Sequence, residues 1–120
     1  MIKRKAEYVK TNECSDKGFG DFVAVNMLAN TELPPNVRFA GIITVKPGER
    51  ISYHQHNGDS AIYHILEGYG EYTEEGMKAV IEAGDTAVAY DGQMHGIKNI
   101  GDSELKFIAF VTDSINPYAI

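Results

Sequence analysis

Turn-forming residues interrupt this chain at short, regular intervals, and this spacing limits the fold more than any other feature. Twelve glycines and four prolines divide the 120 residues into pieces that are rich in Val, Ile, Tyr and Phe. The turn signals recur about every 8–12 residues, which is typical of an all-β sandwich or barrel. No segment has a sustained helical periodicity with a cap at each end. The sequence therefore predicts an all-β chain.

The same pattern predicts ten strands joined by polar turns. In chain order they span residues 5–10, 21–28, 37–45, 50–56, 61–67, 68–73, 77–82, 86–90, 95–100 and 104–112. Residues 11–20 and 29–36 are polar and contain glycine or proline, so we predict loops there. We expect one domain over residues 1–120, with an N-terminal strand or arm at 1–20 and a tail at 113–120.

Composition argues against several classes of partner. The net charge is −6, whereas a nucleic-acid interface needs a basic stripe. The longest apolar run, residues 107–111, is far shorter than the roughly 20 residues of a membrane helix. We expect no secretory signal, because no apolar segment follows the basic residues 3–5. The single cysteine, Cys14, allows no internal disulfide and fits a reducing compartment. We therefore expect a cytoplasmic protein without nucleic-acid or membrane partners.

Two of the four histidines, His54 and His56, are separated by one residue in a predicted strand. Successive side chains of a strand alternate between its faces, so both imidazoles lie on one face and can reach one ion. By itself such a pair is a weak signal, because surface histidines show the same spacing.

The surroundings of this pair make the pattern specific. A first motif consists of Gly48, five residues, His54-Gln55-His56, eleven residues and Gly68. A second consists of Gly84, five residues, Tyr90-Asp91-Gly92, two residues, His95, three residues and Asn99. With both motifs in register, the chain resembles a small single-domain cupin. The resemblance implies a jelly-roll barrel, also called a double-stranded β-helix.

The resemblance also implies metal ligands, and the chain departs from the usual set. Cupins generally bind a metal through three histidines and a glutamate, and the histidines correspond here to His54, His56 and His95. Ala61 stands where the glutamate is expected, and Tyr90 replaces a proline before the second-motif glycine. The change at Tyr90 is mild, since an Asp-Gly pair can start a turn without proline.

Three neutral imidazoles favour a transition metal over Mg or Ca. We expect one divalent ion, Fe, Ni, Zn or Mn, which would keep its full +2 charge and open coordination positions. Three-histidine cupins include thiol dioxygenases and diketone-cleaving dioxygenases. The alternative is a cupin barrel that has lost its metal together with its glutamate.

The strand after the histidine pair decides which side chains face the ion. In a regular register Ala61, Tyr63 and Ile65 share the inner face and His64 points away. A β-bulge near Ser60 would reverse this and turn His64 inward. We predict the regular register, with Tyr63 as a catalytic hydrogen-bond donor; the alternative for Tyr63 is a core aromatic. Asp59, three residues after His56, could also fold back toward the ion.

For function, the residues and the resemblance together favour a small-molecule enzyme. A dioxygenase, an isomerase or a lyase acting on a small anionic, oxygen-bearing substrate fits the three-histidine centre. The alternative is a binding or sensing module without turnover, with or without metal, and fold alone cannot choose between them. The resemblance and the β-prone residues 5–10 also predict a homodimer in which edge strands pair.

Overall fold

The computed structural model describes residues 1–13 and 20–115, and in these ranges the chain forms ten strands and two short 3-10 helices. The helices span Lys5–Glu7 and Asn30–Glu32. The strands are β1 (Val9–Glu13), β2 (Phe22–Asn26), β3 (Val37–Val45), β4 (Arg50–Gln55), β5 (Asp59–Glu67), β6 (Tyr69–Glu74), β7 (Met77–Glu82), β8 (Thr86–Ala89), β9 (Met94–Asn99) and β10 (Leu105–Asp113). The described part of the chain contains no helix that is long and apolar enough to cross a membrane.

The strands form two antiparallel sheets that enclose the core. One sheet has six strands in the order β1-β2-β3-β10-β5-β8, and the other has four in the order β4-β9-β6-β7. Their inner faces bury a common set of apolar side chains. The largest of these are Ile43, Val45, Ile51, Tyr63, Ile65, Tyr72, Ile97, Leu105 and Phe107. The predicted all-β jelly roll is confirmed.

The first predicted strand is wrong in its position. Residues 5–7 form a 3-10 helix, and β1 runs from Val9 into the predicted loop. Pairing with β2 explains the shift, because Val9 lies opposite Asn26 and Glu13 lies opposite Phe22. The register of this ladder, rather than local β propensity, sets where β1 begins. The predictions about Cys14 and the last five residues concern positions outside the described part of the chain.

The strand β5 has the regular register, as predicted. Ala61, Tyr63 and Ile65 are buried, while the intervening side chains are more exposed. His64 points to the outer face, where its Nδ1 lies 2.9 Å from the hydroxyl oxygen of Thr86. The ladder to β10 is continuous past Ser60, and its one irregularity lies at the far end of β5. His64 is therefore directed away from the inner face that carries Ala61 and Tyr63.

Two local features bring the histidines of β4 and β9 together. His54 lies directly opposite His95 in the β4–β9 ladder. At the end of β4, the His56 N–H donates to the Gln93 carbonyl at 2.9 Å, and the Gly92 N–H donates to the His56 carbonyl at 2.8 Å. Gly92 has a φ of +90°, a backbone conformation that favours glycine. The second-motif glycine thus forms the turn that ties His56 to the start of β9.

A register shift in β4 completes this arrangement. The shift lies between Ile51 and His54, so that both side chains point inward although they are three residues apart. Gly96 of β9 accommodates the displaced backbone, because a Cβ there would lie 3.0 Å from the carbonyl oxygen of Ile51. Bulges of this kind are common beside active sites, where they redirect a side chain.

Candidate metal centre

The three motif histidines meet at the inner face of the four-stranded sheet. One ligating nitrogen from each of His54, His56 and His95 lies within 4.8 Å of the other two. The Nε2 atoms of His56 and His95 are 2.8 Å apart. His95 is completely buried, His56 is buried and His54 is half-buried. Within the described ranges, no other group of three or more His, Cys, Asp or Glu side chains has this arrangement.

Each imidazole is held through its Nδ1 atom. His54 Nδ1 lies 2.6 Å from the Ser52 carbonyl oxygen, and His56 Nδ1 lies 2.8 Å from Oδ1 of Asp59. His95 Nδ1 lies 2.9 Å from the hydroxyl of Tyr72. A carbonyl or carboxylate oxygen can only accept, so His54 and His56 each carry their proton on Nδ1.

Tyr72 fixes the proton of His95 in the same way. Its hydroxyl donates to Oε1 of Glu74 at 3.1 Å, and its oxygen therefore accepts the Nδ1–H of His95. His56 and His95 then direct unprotonated Nε2 atoms at each other, and the engaged Nδ1 of His54 leaves its Nε2 as the ligating nitrogen. Such anchoring of the remote nitrogen is the usual feature of histidines that bind a metal.

The facing nitrogens of His56 and His95 fit a cation. With both Nδ1 atoms protonated, two lone pairs point at each other across 2.8 Å. This contact is repulsive unless a positive charge lies between the nitrogens. The donor set, three neutral imidazole nitrogens, suits a divalent transition metal.

Burial favours the neutral form of two imidazoles, those of His95 and His54. Loss of hydration, together with the neighbouring His54 and His56, lowers the pKa of His95 to about 3. Burial also lowers the pKa of His54, although its hydrogen bond to Ser52 acts in the opposite sense. Metal binding requires unprotonated imidazole, so no proton has to be displaced from these two rings near pH 7.

The position of the missing glutamate is occupied by Ala61, which is buried on the inner face of β5. Neither of the proposed substitutes belongs to the group of three converging side chains. His64 faces outward, and Asp59 lies on the Nδ1 side of His56, with its other oxygen 2.6 Å from the Arg38 guanidinium. The candidate ligand set is three histidines without a carboxylate.

Tyr63 lies beside the histidine cluster. Its ring centroid is 4.9 Å from that of His95 and 4.5 Å from that of Phe107. Burial raises the pKa of the Tyr63 hydroxyl, so the group stays protonated and can donate a hydrogen bond. This placement agrees both with a core aromatic and with a donor to a bound ligand, and the catalytic role remains a prediction.

An open cavity leads to the histidines. It has a volume of about 530 Å³, and His54, His56 and Asp59 lie in its wall. Arg38 supplies the positive charge of the wall, and Phe39 and Val111 supply apolar surface. A small anion can therefore approach the cluster from solvent.

Sequence reasoning missed the groups that anchor the imidazoles. Ser52 acts through its backbone carbonyl, which carries no residue-type signal. Tyr72 and Glu74 are two residues apart on β6 and therefore share one face of the strand. Only the pairing of Glu74 with His95 in the β6–β9 ladder places them beside the site. Arg38 comes from β3 in the other sheet and has no motif at all.

Comparison with known proteins decides the family. A model of the cupin domain matches residues 41–111, which contain all three histidines. The chain belongs to the cupin family. The resemblance read from the two glycine and histidine motifs is thus confirmed.

Two matches, one to a sequence and one to a solved structure, come from Thermotoga maritima. This cupin is 30% identical over 112 residues to an oxalate-binding protein, and the match covers 92% of this chain and 93% of the relative. A solved structure from the same organism, described as a predicted oxalate decarboxylase, superposes with a TM-score of 0.87 at 27% identity. That superposition covers 95% of this cupin and all of the other chain.

A more distant structure shares the fold alone. KdgF from a Halomonas species has a TM-score of 0.74 at 19% identity, over 97% of this cupin and 96% of its own chain. This superposition supports the jelly-roll architecture.

Proposed function

We propose that this cupin binds one divalent transition metal through the Nε2 atoms of His54, His56 and His95, and that the metal in turn binds a small oxygen-rich anion. The ion would be Fe, Ni, Zn or Mn. The observation that carries the proposal is the convergence of one ligating nitrogen from each of three histidines whose Nδ1 atoms are already engaged. A cluster of histidines that only filled the core would not need this alignment.

Oxalate is the ligand class that fits best. Three protein nitrogens leave coordination positions open, and a dicarboxylate can fill two of them with its own oxygens. Without a carboxylate among the ligands, a divalent ion would hold an anion strongly. The likeness to the oxalate-binding protein of Thermotoga maritima supports this choice.

Reversible binding is the activity that the surrounding residues support. Asp59 is engaged by His56 and Arg38, and Glu74 accepts from Tyr72, so neither carboxylate has a free proton-transfer role. A bound metal would polarise the oxygens of the anion. Tyr63 would hydrogen-bond to such a ligand through its protonated hydroxyl.

A metal-dependent enzyme is the second candidate, and the position of Tyr63 beside His95 favours it. In a dioxygenase, isomerase or lyase, Tyr63 would act as the catalytic hydrogen-bond donor to the substrate. Consumption of oxygen, or release of carbon dioxide from oxalate, by the metal-loaded protein would establish turnover.

Oxalate titration by calorimetry tests the proposed function. We expect one oxalate per chain in the protein loaded with Mn²⁺ or Zn²⁺, and binding at least about tenfold weaker after the metal is removed, because the anion loses its coordination bonds. Acetate serves as a matched control, since one carboxylate can form only part of the chelate. Equal oxalate affinity with and without metal would refute the proposal.

We also propose that the protein is a homodimer, formed by the outer face of the six-stranded sheet. An apolar patch crosses this face in two rows of directly paired residues. It consists of Val25, Ile42 and Ile108 in one row and Phe110, Ile62 and Val88 in the other. All six side chains are at least partly exposed. The edge pairing expected from residues 5–10 is less suitable, because residues 5–7 form a 3-10 helix and β1 begins only at Val9.

A second copy of the chain is the occupant that this patch fits. The patch contains no carboxylate, although the chain has a net charge of −6, so two copies can meet here without direct repulsion. The face that carries the patch is five strands wide, with strands about 4.8 Å apart, and roughly seven residues long, with a rise of about 3.3 Å per residue. Its area is therefore about 550 Å². Two such faces bury about 1,100 Å², just above the roughly 1,000 Å² that a biological interface should exceed.

Phe110→Glu should convert the protein to a monomer, because two carboxylates would be placed in the apolar contact. Light scattering at micromolar concentration measures the mass. Val80→Glu is the control: Val80 is exposed on β7 of the other sheet, and its replacement should leave a dimer. A monomeric wild type would exclude the homodimer, and dissociation caused equally by Val80→Glu would exclude this interface.

A further inference from the structure

Asp59 connects a candidate metal ligand to a cation on another strand. Its Oδ1 atom lies 2.8 Å from Nδ1 of His56, and its Oδ2 atom lies 2.6 Å from a guanidinium nitrogen of Arg38. The residue is only 7% exposed. A buried carboxylate needs such partners, since an unpaired buried charge is strongly unfavourable. The negatively charged carboxylate of Asp59 therefore lies against Nδ1 of His56, the ring nitrogen that faces away from the cluster.

This connection distinguishes His56 from the other two histidines. His54 donates to a backbone carbonyl and His95 donates to a phenol oxygen, both of which are neutral. The chain has no carboxylate at position 61, where a charged ligand is expected in a cupin. Among the contacts described, the carboxylate that touches a ring of the cluster is that of Asp59, and the ring is that of His56.

We propose that Asp59 is a positioning residue that supplies negative charge to the metal site through the imidazole of His56, in place of the charged ligand absent at Ala61. The inference rests on the proposed function, because it concerns a bound metal. A carboxylate that accepts the Nδ1–H of an imidazole raises the basicity of Nε2 and fixes the ring orientation. Metal affinity then depends on the charge of Asp59, although Asp59 does not touch the ion.

Arg38 limits this effect. Its guanidinium binds Asp59 through one nitrogen and Asp113 through another. The positive charge of Arg38 withdraws electron density from the same carboxylate that polarises His56, and it also repels a cation bound nearby. Removing the charge of Arg38 and removing the charge of Asp59 should therefore have opposite effects on metal affinity.

Asp113 provides a matched control within the same network. Like Asp59, it is a carboxylate paired with Arg38, but its described contacts include no histidine. Asp113→Asn removes one ion pair of Arg38, as Asp59→Asn does. It leaves the Asp59–His56 contact unchanged.

Zn²⁺ affinity, measured by competition with a chromophoric chelator, tests the inference on folded variants. Asp59→Asn should weaken Zn²⁺ binding by about 10–100-fold, the usual effect of losing the partner of a ligating histidine. Asp113→Asn should change it by less than about twofold. Arg38→Gln should strengthen it by about threefold, since one repelling charge is removed.

The outcomes separate this inference from the proposed function. If the wild type binds Zn²⁺ but Asp59→Asn and Asp113→Asn weaken it equally, Asp59 only holds strands together and the inference is wrong. Weaker binding in Arg38→Gln would also overturn it, even if Asp59→Asn failed to fold. A wild type that binds no Zn²⁺ would overturn the proposed function and this inference together.

Discussion

Replacing His95 with alanine should reduce metal affinity by more than about 100-fold, which exceeds the usual effect of losing only an outer hydrogen-bond partner. His95 is completely buried, and its Nε2 lies 2.8 Å from Nε2 of His56. Its loss would leave two imidazoles, and two ligands cannot enclose a transition metal in the way that three do. Isothermal titration with Zn²⁺ measures the change.

His64→Ala is the matched control for this experiment. It removes the same side chain from a position on the outer face of β5, where His64 contacts only Thr86 among the hydrogen-bonding groups described. We expect wild-type metal affinity in His64→Ala. The assignment of ligands is contradicted if His95→Ala keeps wild-type affinity, or if both substitutions weaken binding equally.

Ala61→Glu should change three properties in fixed directions. The new carboxylate would lie on the inner face of β5 and add a fourth ligand, so the metal should resist removal by a chelator more strongly. Oxalate affinity should fall by about tenfold, because the charge of the site drops from +2 to +1 and one coordination position is filled. The melting temperature of the metal-free protein should fall by about 10 °C, since Ala61 is fully buried and an unpaired carboxylate there is costly.

Ala61→Gln separates charge from size in this prediction. Glutamine has nearly the same volume and introduces the same crowding, but it adds no negative charge. It should lower the melting temperature without reducing oxalate affinity as much as Ala61→Glu does. If Ala61→Glu alters neither chelator resistance nor oxalate affinity, the side chain at position 61 does not reach the metal.

The part of the site that the sequence predicts is the part encoded by local spacing. Period-two alternation was sufficient to place His54 and His56 on one face and to turn Tyr63 inward and His64 outward. The glycine at position 92 signalled a turn, and the structure shows that this turn holds His56 beside β9. The face on which each side chain lies and the position of the turn depend on residues close in sequence, so the spacing of the residues is enough to predict them.

The remainder depends on contacts between distant strands. The register shift that turns both Ile51 and His54 inward exists only because β4 pairs with β9. The anchors Tyr72 and Arg38 come from β6 and β3, and no spacing in the sequence links them to the histidines. The position of β1 is likewise set by its ladder with β2 rather than by its own residues. Pairing information of this kind is absent from a single sequence.

Elemental analysis of the reconstituted protein tests the central claim most directly. The metal-free protein is incubated with excess Zn²⁺, desalted and measured together with a His54→Ala, His56→Ala, His95→Ala triple variant. Three converging, unprotonated Nε2 atoms predict about one metal ion per wild-type chain and almost none in the folded triple variant. A folded wild type that retains almost no metal, or equal metal content in the two proteins, would contradict the account.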